Sequence, residues 1–340
     1  MEALHALQNV HRISVLVIGD VMLDAYLIGQ VNRISPEAPV PIVDVHQRDK
    51  RLGGAANVAK NLIALGAQVQ VAATVGDDAA GQEIQRLFQT QGIGTAALVE
   101  VPGRPTTVKT RVISNGQQLL RVDEEQASEL EEPWTAELIA RCQDVIDNQR
   151  IDVVIFEDYD KGTLTPTVIE TVSALCCEKG IKTTVDPKFR NFDRYRHVVL
   201  FKPNLKEMRE GLSMAIHKES DASLAQAVQR MHERLEASIS MVTLSERGVC
   251  FYAPDHSQGF QRIPAFEREI TDVSGAGDAV IAVASVLLAL DVPVWQIAAV
   301  ANLAGGLVCE KVGVVTVERE RLQAEWETHA DAMAALMNSK

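Results

Sequence analysis

The chain has 340 residues, of which 46% are hydrophobic and 23% charged. This composition excludes a disordered protein and is sufficient for one large α/β domain or two smaller ones. The formal net charge of −13 argues against nucleic acid or a membrane surface as a partner, because such partners require a basic protein surface.

The cysteines and the N-terminal segment predict a cytoplasmic protein. The five cysteines are odd in number and none shows Cys-x-x-Cys spacing, which is typical of a reduced protein. The first twenty residues contain no basic region and no cleavage site. The longest apolar run, residues 279–290, is shorter than the ~20 residues that cross a bilayer. We therefore expect neither an export signal nor a membrane anchor.

Apolar runs of strand length alternate with amphipathic helical stretches through the first 245 residues. Such continuous apolar strands, separated by helices, are typical of a mainly parallel sheet with helices on both faces. Ligands of such sheets bind at the carboxyl ends of the strands. After Gly275 the chain is predicted to be almost wholly helical. The predicted strands are 13–19, 69–76, 152–158, 181–187, 198–204 and 238–245.

Two segments, 21–50 and 104–124, break this alternation. Apolar and polar residues alternate in both, prolines occur in both, and the Asn115-Gly116 dipeptide of the second is typical of a hairpin turn. We expect the two segments to pair as a small antiparallel sheet that covers the main domain as a lid. Because no long linker is visible, we expect one domain over residues 1–340.

A glycine-rich helix start lies at residues 271–278, with the sequence TDVSGAGD. A carboxylate in the first turn of a helix, here Asp278, interacts favourably with the helix dipole, which explains the aspartate alone. It does not explain Gly275 and Gly277, since glycine lowers helix stability and is used where the backbone approaches a ligand closely. Backbone N–H groups at a helix start can bind an anion. The segment therefore predicts an anion site beside a base.

Two further helix starts carry candidate ligand contacts. Gly53 and Gly54 precede Asn57, and this pattern allows close backbone approach together with an amide that bonds to hydroxyl groups. Asn204 and Glu207 have the spacing of a capping box, which alone explains both residues. Alternatively, Glu207 holds hydrated Mg²⁺, which commonly takes one or two carboxylates plus phosphate oxygens. The residues themselves leave both readings open.

Together these segments carry a resemblance to a known family. GGAANVA (53–59), PNLKE (203–207) and DVSGAGD (272–278) resemble, in order, the signatures of the ribokinase-like (PfkB) carbohydrate kinases. The resemblance extends from about residue 17 to residue 317. It implies an α/β fold with a mainly parallel sheet, a small β lid, ATP and Mg²⁺ as cofactors, a sugar or sugar phosphate as substrate, and a homodimer formed through the lid.

The resemblance also implies roles for individual residues. Asp278 is expected to be the general base, and the backbone amides of Gly275, Ala276 and Gly277 are expected to bind the transferring phosphoryl group. Sugar hydroxyls are expected at Asp24, Gly53, Gly54 and Asn57. A substrate phosphate is expected to bind cations among Arg33, Lys109, Arg111 and Lys161, although each of these alone is explained as a solvated charge. Nucleotide contacts are expected at Asn204, Leu205, Lys206, Glu207, Ser245, Gly248 and Asn302, with Glu207 also as the Mg²⁺ ligand.

Within the family, several segments resemble the kinases of D-glycero-β-D-manno-heptose 7-phosphate, which form the 1,7-bisphosphate in ADP-heptose biosynthesis. No nucleotidyltransferase motif follows the kinase motifs, so we expect a stand-alone kinase. Glu157 and Asp160 depart from this pattern, where smaller or neutral residues are expected. Kinases of another sugar, sugar phosphate or nucleoside share the catalytic motifs and remain open, as does a non-catalytic sugar-binding module. The resembling segments are RISPEAPVP (33–41), GQQLLRVDEE (116–125), DYDKG (158–162) and DPK (186–188).

Overall fold

A computed structural model of the protein describes residues 2–254 and 258–338, and within these it contains two sheets and ten helices. The strands are β1 Ser14–Gly19, β2 Val21–Ile34, β3 Pro41–Gly54, β4 Gln68–Gly76, β5 Gly94–Val101, β6 Val108–Ser114, β7 Gln117–Glu124, β8 Val153–Glu157, β9 Lys182–Asp186, β10 Leu200–Phe201, β11 Ile239–Thr243, β12 Val249–Ala253 and β13 Gln258–Ile263. The helices are α1 Glu2–Gln8, α2 Ala55–Leu65, α3 Ala79–Thr90, α4 Glu132–Asn148, α5 Pro166–Lys179, α6 Leu205–Leu212, α7 Asp221–Leu235, α8 Ala276–Ala289, α9 Val294–Cys309 and α10 Arg319–Asn338.

The main sheet has nine strands in the order β13-β12-β11-β10-β9-β8-β1-β4-β5. The strands from β11 to β5 run parallel, whereas β12 and β13 are antiparallel additions at one edge. The predicted, mainly parallel sheet is therefore confirmed. Parallel strands place their carboxyl ends at one edge of the sheet, and this edge carries the residues described below.

Helices cover both faces of the main sheet, as the continuous apolar strands predict. Alternate residues of β1 belong to opposite cores: Val15 and Val17 pack with α2, α8 and α9, while Leu16 and Ile18 pack with α4, α5 and α7. Helix α8 is buried along almost its whole length, which explains why its sequence is apolar on every side. This burial anchors the first turn of α8 at the sheet edge.

The second sheet, called here the small sheet, comprises β2, β3, β6 and β7 in the order β3-β2-β6-β7. The predicted hairpin turn is present, with positive φ at both Asn115 and Gly116. The prediction of a purely antiparallel sheet is wrong, because β2 and β6, the strands that join the two segments, run parallel. Both strands start near the main sheet and run outward from it, so they share one direction. Strand β3 extends the first segment to Gly54.

Some strands differ from prediction. Strand β10 has two residues where seven were expected, and β5, β12 and β13 were not predicted. The residues after Gly275 are helical, as expected, in α8, α9 and α10. All five cysteines are free thiols. Within residues 2–254 and 258–338, none of the helices combines the length and the apolarity needed to span a bilayer.

Candidate active site

The candidate base Asp278 lies in the first turn of α8 and is 5% exposed. Its Oδ2 accepts a hydrogen bond of 2.6 Å from Asn57 Nδ2, and its Oδ1 accepts one of 2.8 Å from the Tyr159 hydroxyl. Burial raises the pKa of Asp278, with a further contribution from Asp186, while the bonds from Asn57 and Tyr159 lower it. A carboxylate whose pKa is raised is a stronger proton acceptor than an ordinary one.

The helix start beside Asp278 explains the glycine at position 275. Gly275 has φ of 79°, and a Cβ at this position would lie 2.9 Å from Asn57 Nδ2. The first N–H groups of a helix have no partner within the helix, and the start of α8 therefore directs unpaired donors towards the sheet edge. The backbone amide of Ala276 is not wholly unpaired, because it donates a long turn hydrogen bond of 3.3 Å to the Val273 carbonyl.

Asp20 is a positioning residue that the sequence reasoning missed. It is 1% exposed and lies between β1 and β2. Its carboxylate accepts hydrogen bonds from the backbone amides of Tyr159, Lys161 and Thr163, at 2.9, 3.0 and 3.0 Å. Asp20 therefore holds the loop that carries Tyr159 towards Asp278.

A row of charged residues crosses the ends of the central strands. Glu157 ends β8 and is paired in register with Asp186, which ends β9. Lys202 follows β10, is 1% exposed, and places its ammonium 2.8 Å from the Asp186 carboxylate. Glu157 is fully buried and neither of its carboxylate oxygens has a hydrogen-bond partner. Burial, followed by Asp186 and Asp278, raises the pKa of Glu157 well above its ordinary value.

The predicted capping box is present at the start of α6. Asn204 Oδ1 accepts a 2.9 Å bond from the Glu207 amide, and Glu207 Oε2 accepts a 2.8 Å bond from the Asn204 amide. The other Glu207 oxygen pairs with the ammonium of Lys188. Burial lowers the pKa of Lys188, but Asp186 and Glu207 outweigh burial and raise it. Lys188 therefore remains charged.

An open groove of about 520 Å³ brings together part of the expected nucleotide site. Asn204, Leu205, Lys206 and Ser245 all line it. The groove is large enough for a small-molecule ligand. Ser245 begins a 3₁₀ turn, Ser245–Arg247, two residues after the end of β11.

Three expected nucleotide contacts do not line this groove: Glu207, which belongs to the capping box, and also Gly248 and Asn302. Gly248 has φ of 86° and lies against the backbone of Ile263 and Ala265. Asn302 lies on α9 and donates its side-chain amide to the Pro264 carbonyl at 2.9 Å. In this structure Gly248 and Asn302 both contact the segment that follows β13.

The expected sugar-binding residues lie together where the small sheet meets the main sheet. Asp24 on β2 is 4% exposed, and its carboxylate accepts a 2.5 Å ion-paired hydrogen bond from Arg111 on β6. A Cβ at Gly53 would lie 2.3 Å from Asp24 Oδ2, so glycine makes room for this carboxylate. Gly54 leads directly into α2, which carries Asn57. Asn57 is fully buried and its Oδ1 has no hydrogen-bond partner.

Three of the four expected cations lie close to this region. Arg111 and Lys109 share one face of β6, because they are two residues apart in a strand. Lys109 pairs with Asp123 at 3.3 Å and with Glu125 at 3.1 Å, and Lys161 pairs with the same Glu125 at 2.7 Å.

Arg33 is not brought to this group. It is exposed near the outer end of β2, nine residues beyond Asp24, which is roughly 30 Å along an extended strand.

Arg51 and Tyr26 lie on the same face of the small sheet as Asp24, Lys109 and Arg111, and this face is called here the cation-bearing face. The sequence reasoning missed both Arg51 and Tyr26. Arg51 is paired in register with Asp24. The guanidinium groups of Arg51 and Arg111 lie 4.9 and 5.5 Å from the centre of the Tyr26 ring. A cross-strand partner of Asp24 could have been found only from the register of β2 and β3, which residue types alone do not determine.

Replacement of Tyr159 by phenylalanine is expected to shift the acid limb of the pH–activity profile to higher pH. The Tyr159 hydroxyl donates to Asp278 and lowers its pKa, so removing this bond raises that pKa. A base with a higher pKa becomes deprotonated, and therefore active, only at higher pH. The measurement is kcat against pH for both proteins. An unchanged acid limb would contradict the assignment of this limb to Asp278.

Solved structures identify the fold. Phosphofructokinase-2 from Escherichia coli, in complex with potassium, superimposes with a TM-score of 0.75 at 17% identity, covering 93% of this chain and 99% of that one. The Arabidopsis thaliana ribokinase complexed with ribose and ATP gives a TM-score of 0.70 at 15% identity, covering 91% and 98%. The expected ribokinase-like fold is confirmed.

At the carboxyl edge of its main sheet this fold carries a buried carboxylate beside a glycine-flanked helix start, and such a pair of groups is suited to phosphoryl transfer. The model of the pfkB family of carbohydrate kinases matches residues 12–321. The chain belongs to this family and is an ATP-dependent carbohydrate kinase, which confirms the predicted family and enzyme class.

Curated relatives are similar over nearly the whole chain. The bifunctional protein HldE of Geobacter metallireducens is 38% identical over 327 residues, which are 96% of this chain and 66% of that protein. The bifunctional protein HldE of Wolinella succinogenes is 40% identical over 305 residues, covering 90% of this chain and 63% of that protein. The chain thus spans just under two thirds of the length of these relatives.

Proposed function

We propose that this kinase phosphorylates D-glycero-β-D-manno-heptose 7-phosphate on its anomeric hydroxyl, O1, to give the 1,7-bisphosphate in the ADP-heptose biosynthesis that supplies the lipopolysaccharide core. The observation that carries the proposal is the similarity to HldE proteins over at least 90% of the chain. The cation-bearing face of the small sheet supports a phosphorylated substrate. The reaction requires a base, donors for a phosphoryl group and a site for a polyhydroxylated ligand.

In this proposal Asp278 accepts the proton of the attacking sugar hydroxyl. The backbone amides at Gly275, Ala276 and Gly277 stabilise the negative charge on the transferring group. Asn57 serves the sugar as well as the base, because its Oδ1 is buried without a partner and is free to accept a bond from a sugar hydroxyl. Asp24 is the second hydroxyl contact, beside Gly53 and Gly54.

The 7-phosphate is assigned to the cations that face Asp24. Arg111 is the central candidate, with Lys109 beside it on β6, Arg51 opposite Asp24 on β3, and Lys161 joined to Lys109 through Glu125. Charge-assisted hydrogen bonds from such groups favour a phosphate strongly over a hydroxyl. Arg33 is left out of the site, since it lies far along β2.

ATP is assigned to the groove lined by Asn204, Leu205, Lys206 and Ser245. The groove opens at the same sheet edge as Asp278, because α6 and α8 both start there. Phosphates that enter from the groove would therefore reach the glycine-flanked start of α8.

The residues present fit Mg²⁺ when it is brought by the nucleotide. No cluster of three metal-ligating side chains is found in residues 2–254 and 258–338. Mg²⁺ commonly takes one or two carboxylates and otherwise binds water and phosphate oxygens, and Glu207 beside the groove offers such a carboxylate. Both Glu207 oxygens have partners, so Lys188 would have to release one of them. The bound ion would neutralise charge on the nucleotide phosphates.

Glu207→Gln is expected to raise the Mg²⁺ concentration needed for half-maximal activity, with little loss of stability. The Gln carbonyl oxygen can still accept from the Asn204 amide, so the capping box can survive while the charge is lost. A lost cap would cost only about 0.5–2 kcal/mol. The measurements are an Mg²⁺ titration and a melting temperature, with Glu210→Gln on the same helix as control. A lower melting temperature with an unchanged titration would favour capping alone.

The small sheet is proposed to act as a lid that excludes water during transfer, and as the contact with a second copy of the chain. Every residue of β7 is exposed, and Leu120 and Val122, at 57% and 45% exposure, lie on the face opposite to Lys109 and Arg111. Exposed apolar surface of this kind marks interaction sites. Leu120→Glu is expected to convert a dimer to a monomer in light scattering coupled to gel filtration. A monomeric parent protein would refute this contact.

The experiment that tests the substrate is an ADP-release assay over heptose 7-phosphate, its unphosphorylated analogue, fructose 6-phosphate, ribose and a nucleoside. Heptose 7-phosphate is expected to have the highest kcat/KM. Faster turnover of any other member would refute the substrate assignment and leave the kinase assignment intact. Absence of phosphorylation of every member, with ATP bound, would favour a sugar-binding module.

A further inference from the structure

Lys188 occupies a place between the two halves of the candidate site. It lies two residues after the end of β9, at the sheet edge that carries Asp186 and Lys202. Its ammonium pairs with Glu207, on the helix that lines the nucleotide groove. The same ammonium lies 5.0 Å from the centre of the Tyr159 ring. The Tyr159 hydroxyl in turn donates to Asp278 at 2.8 Å.

The position of Lys188 matches the geometry that phosphoryl transfer requires. The acceptor and leaving oxygens lie on opposite sides of the phosphorus, and negative charge is spread over its three equatorial oxygens. The acceptor hydroxyl is activated at Asp278, and the nucleotide is assigned to the groove beside Glu207. A cation that contacts both Glu207 and Tyr159, whose hydroxyl donates to the base, is therefore close to both ends of the phosphoryl-transfer path.

Other lysines near this edge are less well placed. Lys202 is 1% exposed and is held by Asp186, so it is a fixed internal charge. Lys161 is bound to Glu125 on the sugar side. Lys206 has a side chain that is 81% exposed, and its ammonium lies 3.8 Å from the Glu210 carboxylate. The Lys188 side chain is 30% exposed, which leaves it free to exchange one partner for another.

We propose that Lys188 is a further catalytic residue, whose ammonium leaves Glu207 when the nucleotide binds and donates hydrogen bonds to the transferring phosphoryl group. In the transfer, the bond from the γ-phosphorus to the sugar oxygen forms and its bond to the ADP oxygen breaks. Asp278 takes the hydroxyl proton, and Lys188 keeps all its protons. The proposal rests on the kinase activity and on Asp278 as the base, but not on heptose as the substrate.

The aromatic ring of Tyr159 supports this movement. A lysine ammonium over a tyrosine face is attracted by the ring at this distance, so the ring can retain Lys188 near the base after Glu207 is released. When the Lys188 ammonium leaves Glu207, it also frees the carboxylate oxygen that a hydrated cation would need. One side chain would thereby couple occupation of the groove to completion of the site.

The test compares Lys188→Met, Lys188→Arg and a matched control, Lys182→Met. Lys182 lies at the opposite end of β9, has a side chain that is 29% exposed, and also makes one ion pair, to Asp291. At saturating ATP and sugar, Lys188→Met is expected to lower kcat about 100-fold, as loss of a transition-state donor does. Lys188→Arg is expected to retain more activity than Lys188→Met, and Lys182→Met to match wild type. The sugar is whichever member of the panel the wild type turns over fastest.

A binding measurement separates this proposal from the substrate assignment. Without added metal, calorimetry is expected to show that the wild type binds ATP about tenfold more tightly than ADP, as a charge-assisted bond to the γ-phosphate would produce, and that Lys188→Met abolishes the difference. An unchanged ratio, or a kcat within threefold of wild type, would overturn the role of Lys188 whichever sugar is used. Melting temperatures monitor folding, and Lys188→Gln replaces Lys188→Met in both measurements if the latter does not fold.

Discussion

Replacement of Asp278 by asparagine is expected to lower kcat by about 100-fold to 10,000-fold, the range that a positioned general base contributes. The substitution removes the proton acceptor but leaves the glycine-flanked start of α8 in place. ATP binding is expected to persist, because Asp278 does not line the groove around Asn204. The measurements are steady-state kinetics and the Kd of ATP for the same preparation.

Asp291→Asn is the matched control for Asp278. Asp291 follows the other end of α8, and its side chain is 86% exposed. The Asp291→Asn variant is expected to have the same kcat as the wild type. A kcat of Asp278→Asn within tenfold of wild type would contradict the role of Asp278 as base, and simultaneous loss of ATP binding and of melting temperature would point to a structural role instead.

The second large effect is expected from Arg111→Gln, which should lower kcat/KM at least tenfold for a sugar phosphate and much less for an unphosphorylated sugar. A charge-assisted bond to phosphate contributes roughly 1.5–3 kcal/mol. Lys109→Gln is expected to act in the same direction. The measurement is kcat/KM for heptose 7-phosphate and for its unphosphorylated analogue in each variant.

Arg111 also pairs with the buried Asp24, so its loss leaves a carboxylate unpaired. Arg48→Gln controls for a lost charge on the small sheet, because Arg48 is exposed and is paired in register with Leu27, on the face opposite to Asp24. Equal losses for phosphorylated and neutral substrates would show that Arg111 acts through Asp24 alone.

Most of the architecture followed from local sequence patterns. Continuous apolar runs predicted the parallel strands β1, β4, β8, β9 and β11, because a strand buried on both faces is apolar at every position. The Asn115-Gly116 dipeptide predicted the hairpin turn, since both residues tolerate positive φ. The length of β10 was overestimated and β5 was missed. In short or partly polar strands, pairing with the neighbouring strands decides the structure more than the strand's own composition does.

The direction of pairing in the small sheet was not predictable from the same patterns. A strand in which apolar and polar residues alternate has the same sequence pattern whether its neighbour runs parallel or antiparallel. The parallel pairing of β2 and β6 is set by where the two segments leave the main sheet, at Asp20 and near Thr107, whose carbonyl accepts from the Leu23 amide. This is a property of the whole chain path.

For the candidate site, the sequence by itself determined the helix starts at Gly54, Asn204 and Gly275 and the carboxylate Asp278, because glycine turns and capping residues act within a few positions of the chain. Only the tertiary structure decided which side chains meet. Asn57 and Tyr159 reach Asp278 across 221 and 119 positions, respectively, and Lys188 reaches Glu207 across a strand crossover. Such contacts, and the shift that burial gives to the pKa of Asp278, depend on strand order and register, which no local pattern encodes.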